Sequence, residues 1–187
     1  MQSRHGFLAL AGGAGLSCLG APALAHSRRD FELDERFLPQ DVPVRGKIAP
    51  GTIVISPRQR FLFLVTAPGR ARRYGVGIGR AGLGIRGELE IARKARWPSW
   101  KPTASMIRRD PRYARWKNGM PGGPGNPLGS RALYLYRDGR DTYYRIHGTT
   151  EPWTIGQSVS NGCFRMINAH VEELYEMVPV GTKVIVL

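Results

Sequence analysis

Cysteine, histidine and acidic residues are scarce in this chain, and each scarcity excludes something. The 187 residues include two cysteines, Cys18 and Cys163. Cys18 lies in an apolar N-terminal stretch, so a mature chain keeps Cys163 alone and cannot form an internal disulfide. Four histidines are present, and no C-x₂-C or H-x₃-H spacing occurs. A zinc site of His147, Cys163 and His170 is therefore set aside, and no metal is expected. No apolar run reaches the roughly 20 residues that span a bilayer, so no transmembrane span is expected. Glycines crowd residues 75–87, but no Gly-Lys-Ser/Thr follows and no helical pattern opens after them. They read as sheet bends or bulges, not as a phosphate loop. Carboxylates are outnumbered: 14 Asp and Glu stand against 28 Lys and Arg, a net charge of +14.

What is present at the N-terminus reads as an export signal. Arg4 supplies a positive start, Phe7 to Leu19 is apolar, and Ala23-Leu24-Ala25 fits small-x-small cleavage. Residues 1–25 are thus read as a signal peptide and the protein as exported, to the periplasm. Lipid attachment at Cys18 would want a bulky aliphatic residue three positions earlier, where Gly15 stands. A basic surface suits an anionic partner. For an exported protein that partner is not nucleic acid; carboxylate-rich peptidoglycan stem peptides fit better. Much of the charge serves only solubility.

Residues 26–49 are charged and aperiodic and read as a linker or N-terminal arm. From 50 onward strands dominate. Residues 52–56 (TIVIS) and 60–65 (RFLFLV) are β-rich, and 72–78 and 88–93 suggest a third and fourth strand. Residues 97–126 are loop-rich, with a helical turn or two in 102–109. Asp138-Gly139 between RALYLY and TYYRIH marks a hairpin that brings His147 to the end of a strand. Val171, Leu174, Tyr175 and Val178 follow helical spacing, with Asn168 as the expected N-cap and Pro179 and Gly181 as terminators. KVIVL at 183–187 closes the chain as a strand. The expected class is mostly β, a β-sandwich or barrel-like domain over 50–187 with one helix after the cysteine loop. Trp153 is expected to pack beneath the loop between His147 and Cys163. Tyr143 and Tyr144 should point to opposite faces.

The chemistry concentrates in two short stretches. His147-Gly148-Thr149 is followed by Ser160-Asn161-Gly162-Cys163-Phe164-Arg165-Met166. A thiolate attacks carbonyls, and an imidazole is the usual acceptor of its proton. Cys163 is the candidate nucleophile and His147 the candidate base. His170 reads as a surface or packing residue.

This arrangement resembles the L,D-transpeptidase catalytic (YkuD-like) domain, in its ErfK-type proteobacterial form, over about residues 50–187. The resemblance implies a cysteine enzyme without a cofactor. It would cleave the bond after the L-centre of diaminopimelate in a peptidoglycan tetrapeptide, release D-alanine, and pass the acyl group to an amine. It also implies sensitivity to carbapenems. The Gly148 carbonyl would orient the imidazole, and backbone N–H groups around Gly162 and Cys163 would hold the oxyanion. The chain departs from many relatives in having Asn161 where they have His. Asn161 cannot take a proton, so with Ser160 it is assigned to holding the turn. Arg165 would either bind a substrate carboxylate or pin the loop. The acceptor stays open: a second diaminopimelate, an amine of an outer-membrane protein, or water, which would make the enzyme an L,D-carboxypeptidase. Reversed attack would make it an amidase. A non-catalytic wall-binding module has no need of both His147 and Cys163. A papain-like protease has its Cys before its His.

Overall fold

The computed structural model describes residues 31–79, 84–158 and 163–187. The signal segment 1–25, Cys18, and Ser160, Asn161 and Gly162 of the expected site lie outside the described residues.

Among the described residues ten strands form one sheet in the order β1-β4-β3-β2-β10-β6-β7-β8-β9-β5. They are β1 (Gln40–Pro43), β2 (Ile53–Ser56), β3 (Phe61–Ala67), β4 (Arg70–Gly75), β5 (Gly77–Ile78), β6 (Gly87–Arg96), β7 (Arg131–Arg137), β8 (Arg140–His147), β9 (Phe164–Arg165) and β10 (Lys183–Val186). All pairings are antiparallel except β2 with β10 and β8 with β9. Only Val76 separates β4 from β5, yet β5 ends the sheet at one side and β4 lies next to the other end. Covalent continuity therefore brings the two ends of the sheet together, and the sheet curls on itself as the β-rich sequence suggested.

Among the described residues two α-helices accompany the sheet: α1 (Ala104–Arg109) and α2 (Asn168–Met177). Thr103 caps α1 by accepting from the Met106 N–H. α2 lies against β7 and β8 and buries Val171 and Leu174, with Val178 at its end. These join Ile53, Leu62, Tyr74, Ile91, Leu133, Leu135, Ile146, Phe164 and Met166 in one apolar core. Each such side chain contributes about 1.5–3 kcal/mol on burial. The turn joining β7 to β8 has positive φ at both Asp138 (50°) and Gly139 (73°), the type I′ geometry that matches strand twist.

The segment read as a linker or N-terminal arm takes part in the sheet from its middle onward. Gln40 to Pro43 pair with Arg70 to Arg73, and Phe37 is buried with its ring 5.5 Å from that of Phe61. A four-residue edge strand leaves no periodicity to read. Trp153 also departs from expectation. It is 55% exposed, and Thr154 and Ile155 take the buried positions beside it. The chain after Glu151 turns through a 3₁₀ helix (Pro152–Thr154), which rotates the indole outward.

Candidate active site

The site is built on β8 and β9. Their parallel register sets Ile146 opposite Phe164 and His147 opposite Arg165. Ile146 and Phe164 enter the core, which anchors both strands. His147 also pairs with Ala132 of β7, and its backbone carbonyl accepts from the Met166 N–H at 2.8 Å. The imidazole is thus carried by a strand held on both sides and is only 3% exposed.

His147 Nδ1 lies 2.7 Å from the Gly148 carbonyl oxygen. A carbonyl can only accept, so Nδ1 carries the hydrogen and Nε2 keeps its lone pair. Burial pushes the imidazole pKa down to about 4; the Gly148 carbonyl opposes this, and the cations of Arg165 and Arg145 add to it. The ring is therefore a neutral base at neutral pH.

Cys163 is a free thiol, 9% exposed, placed one residue before β9. Its carbonyl accepts from the Gly79 N–H at 3.0 Å, and its Sγ lies 3.7 Å from the Tyr143 carbonyl oxygen. Burial pushes the thiol pKa up, and the Arg145 backbone amide and side-chain charge push the other way. The resting site is a neutral thiol with a neutral imidazole. Tyr143 itself is 81% exposed and has φ 61°, at a bulge where β8 slips register against β7. Tyr144 packs against the core.

The His147-Gly148-Thr149 corner is tied down by a residue read for another role. Asn168 is the first residue of α2, not its cap. Its Oδ1 accepts from the N–H of Thr149 at 3.1 Å and of Ser130 at 3.3 Å. The fit is close. A Cβ on Gly148 would lie 2.1 Å from Asn168 Oδ1, and one on Gly129 would lie 2.2 Å from it. Only glycine fits either position. No sequence cue marks Asn168 as a brace, since the two amides it serves belong to segments distant in the chain. Asn168→Ala is expected to cost about 1–3 kcal/mol, because two buried-side amides lose their acceptor. Acylation should slow as well, since the corner carries the base. A melting temperature equal to wild type would refute the brace.

Arg165 is 3% exposed. Its Nη1 donates to Thr154 Oγ1 at 2.6 Å and lies 3.8 Å from Glu151 Oε2. This geometry favours the loop-pinning alternative, for the guanidinium already holds the segment that follows Thr149. We expect Arg165→Ala and Arg165→Lys both to lower the melting temperature, by about 2 kcal/mol of stability for the charged hydrogen bond. Activity should fall in proportion. Lost kcat/KM at an unchanged melting temperature would instead assign Arg165 to substrate. His170 is half-buried on α2 and packs on Tyr74, ring centroids 6.4 Å apart. Among the described residues no three His, Cys, Asp or Glu side chains gather as a metal site.

Residues 50–186 match the family model described as the L,D-transpeptidase catalytic domain. This chain belongs to that family. It is 32% identical over 150 residues to "Probable L,D-transpeptidase ErfK/SrfK" of Salmonella typhimurium, covering 79% of this chain and 47% of that protein. The chain spans about half the length of the curated relatives it matches. Among solved structures, L,D-transpeptidase 3 of Mycobacterium tuberculosis shares the fold at TM-score 0.53 and 18% identity, over 73% of this chain and 60% of that one. Another structure of that protein carries a faropenem-derived adduct. A Brucella melitensis structure titled "Probable carnitine operon oxidoreductase caia" is 58% identical, TM-score 0.58, over 83% of this chain and 96% of that one. Gly87 opens strand β6 and not a helix, so the described part of the glycine-rich stretch lacks the geometry of a dinucleotide fingerprint.

Proposed function

We propose that this chain is an exported cysteine L,D-transpeptidase acting on peptidoglycan tetrapeptide stems. The observation that carries the reading is the His147 imidazole held through Nδ1 by the Gly148 carbonyl, on the strand that borders Cys163. Nε2 of His147 takes the thiol proton as Cys163 Sγ attacks the carbonyl at the L-centre of diaminopimelate. The tetrahedral oxyanion collapses with cleavage of the C–N bond. His147 returns the proton to the departing D-alanine amine, and a Cys163 thioester remains. An acceptor amine then attacks the thioester, gives up its proton to His147, and releases the thiol. Gly162 and Cys163 N–H groups are assigned to the oxyanion, worth about 3 kcal/mol per donor. Ser160 and Asn161 are assigned to the support of the nucleophile, as the family resemblance implies.

Acceptors of this reaction are a second stem, a protein amine at the outer membrane, or water. Export to the periplasm follows from the N-terminal signal reading; no helix among the described residues is long and apolar enough to cross a membrane. Incubation with purified disaccharide-tetrapeptide, followed by mass spectrometry, tests the proposal. Dimer or exchange product supports transpeptidation, and tripeptide alone supports the carboxypeptidase. Unchanged substrate alongside an intact, folded protein overturns both and leaves the wall-binding module.

A further inference from the structure

A row of cross-strand neighbours leads to the nucleophile. Arg93 of β6 pairs with Tyr134 of β7, and Tyr134 pairs with Arg145 of β8. Extending the β8–β9 register back by one pair brings Arg145 alongside Cys163. The Arg93 guanidinium lies 3.4 Å from the centroid of the Tyr134 ring and that of Arg145 lies 4.4 Å from it. Arg145 is also fixed by a two-pronged bond to Asp141, Nη1 to Oδ1 at 2.7 Å and Nη2 to Oδ2 at 2.8 Å, and by Nη1 to the Tyr144 carbonyl at 2.8 Å. The same Asp141 Oδ1 accepts from the N–H of Tyr143 at 2.8 Å. Asp141 therefore holds both the strained residue, whose carbonyl faces the thiol, and the cation beside it.

We propose that Arg145, clamped by Asp141 and stacked on Tyr134, is a positioning residue whose fixed positive charge favours the Cys163 thiolate over the resting thiol. This rests on Cys163 as nucleophile, the reading given above. The groups around the pair decide the sign. Facing Cys163 and His147 are Arg145 from β8 and Arg165 from β9. Their counter-charges, Asp141 and Glu151, are each bonded or paired to one of these guanidiniums. Arg93 on β6 adds a further positive charge near Asp141. The Arg145 charge and amide act against the burial that raises the Cys163 pKa, and the same charge disfavours an imidazolium at His147. One cation thus supports the anion that attacks and urges the proton from His147 on to the leaving amine. A planar fork suits this clamp, because its two prongs fix the direction of the charge.

The test is the pH dependence of Cys163 alkylation by iodoacetamide in the full chain, with melting temperatures recorded beside it. Arg145→Gln is expected to move the midpoint up by about one pH unit and slow alkylation at neutral pH about tenfold. Arg145→Lys, which keeps a charge but loses the fork, should recover part of the shift. Asp141→Asn frees the cation from its counter-charge and should move the midpoint down. That opposite sign is one a mere brace would not give, and it keeps the test decisive even if Arg145→Gln fails to fold. Midpoints unchanged in the folded variants, or Asp141→Asn moving the midpoint up, would overturn the proposal. Alkylation needs no peptidoglycan. A failed tetrapeptide assay with shifted midpoints would sink the substrate reading and leave Arg145 in its role. Turnover of tetrapeptide with unshifted midpoints would do the reverse.

Discussion

Cys163→Ala is expected to abolish acylation outright, by stem peptide and by carbapenem alike. Cys163 is the free cysteine among the described residues, and its sulfur is docked on β8 beside the strand end that carries His147. Among the described residues no other thiol stands ready to replace it. A carbapenem is a useful probe because its strained amide carries no detachable leaving group. Attack by Sγ breaks the ring C–N bond, the thioester forms, and the ring nitrogen takes the proton. Intact mass should therefore rise by one whole drug molecule in the wild type. Cys163→Ala should show no rise. Cys163→Ser should be nearly as inert, because a hydroxyl is far harder to deprotonate than a thiol and His147 is a weak base. An adduct that persists in Cys163→Ala would move the nucleophile elsewhere and overturn the mechanism.

What was legible in the sequence follows from how far each signal reaches along the chain. The helix at Asn168–Met177 was readable because Val171, Leu174 and Val178 repeat at its own period. The β7–β8 hairpin was readable because Asp138-Gly139 supplies the positive φ that its turn needs. The family could be named because the motif residues around His147 and Cys163 are contiguous. Tertiary partnerships were not legible. Asn168 has a plausible local role as a cap, and only the fold shows its oxygen serving Thr149 and Ser130 instead. Arg165 left two alternatives open, and only the fold shows Thr154 and Glu151 beside it. Arg145 carries no local mark in the sequence, since its importance depends on strand register. Edge strand β1 escaped notice because, among the described residues, it pairs on one side only and its four residues follow no pattern. The outward turn of Trp153 depends on a short 3₁₀ helix that residue type does not dictate.

His147→Ala should lower the acylation rate by roughly 10²-fold or more, the usual scale for a lost acid–base group. His170→Ala should change it by no more than a few-fold, because that ring packs on Tyr74. The geometry also fixes the pH behaviour. With an imidazole pKa of about 4, the base stays unprotonated through neutral pH, and the acid limb of the rate profile should fall near pH 4 instead of near the ordinary 6.5. The same depressed value links to stability. Between 6.5 and about 4 the unfolded chain binds a proton at His147 that the folded chain refuses, so stability is fully present above 6.5 and is lost as pH falls through that window. The loss attributable to this one residue amounts to about 3 kcal/mol. His147→Ala should therefore melt with a shallower decline between pH 6.5 and 4 than the wild type. A steep acid limb at 6.5 in the wild type, or an unaltered stability slope in the variant, would show that the imidazole keeps its ordinary pKa. Burial would then exact no penalty for charging the ring, and His147 would act as an unperturbed base whose proton uptake leaves stability untouched.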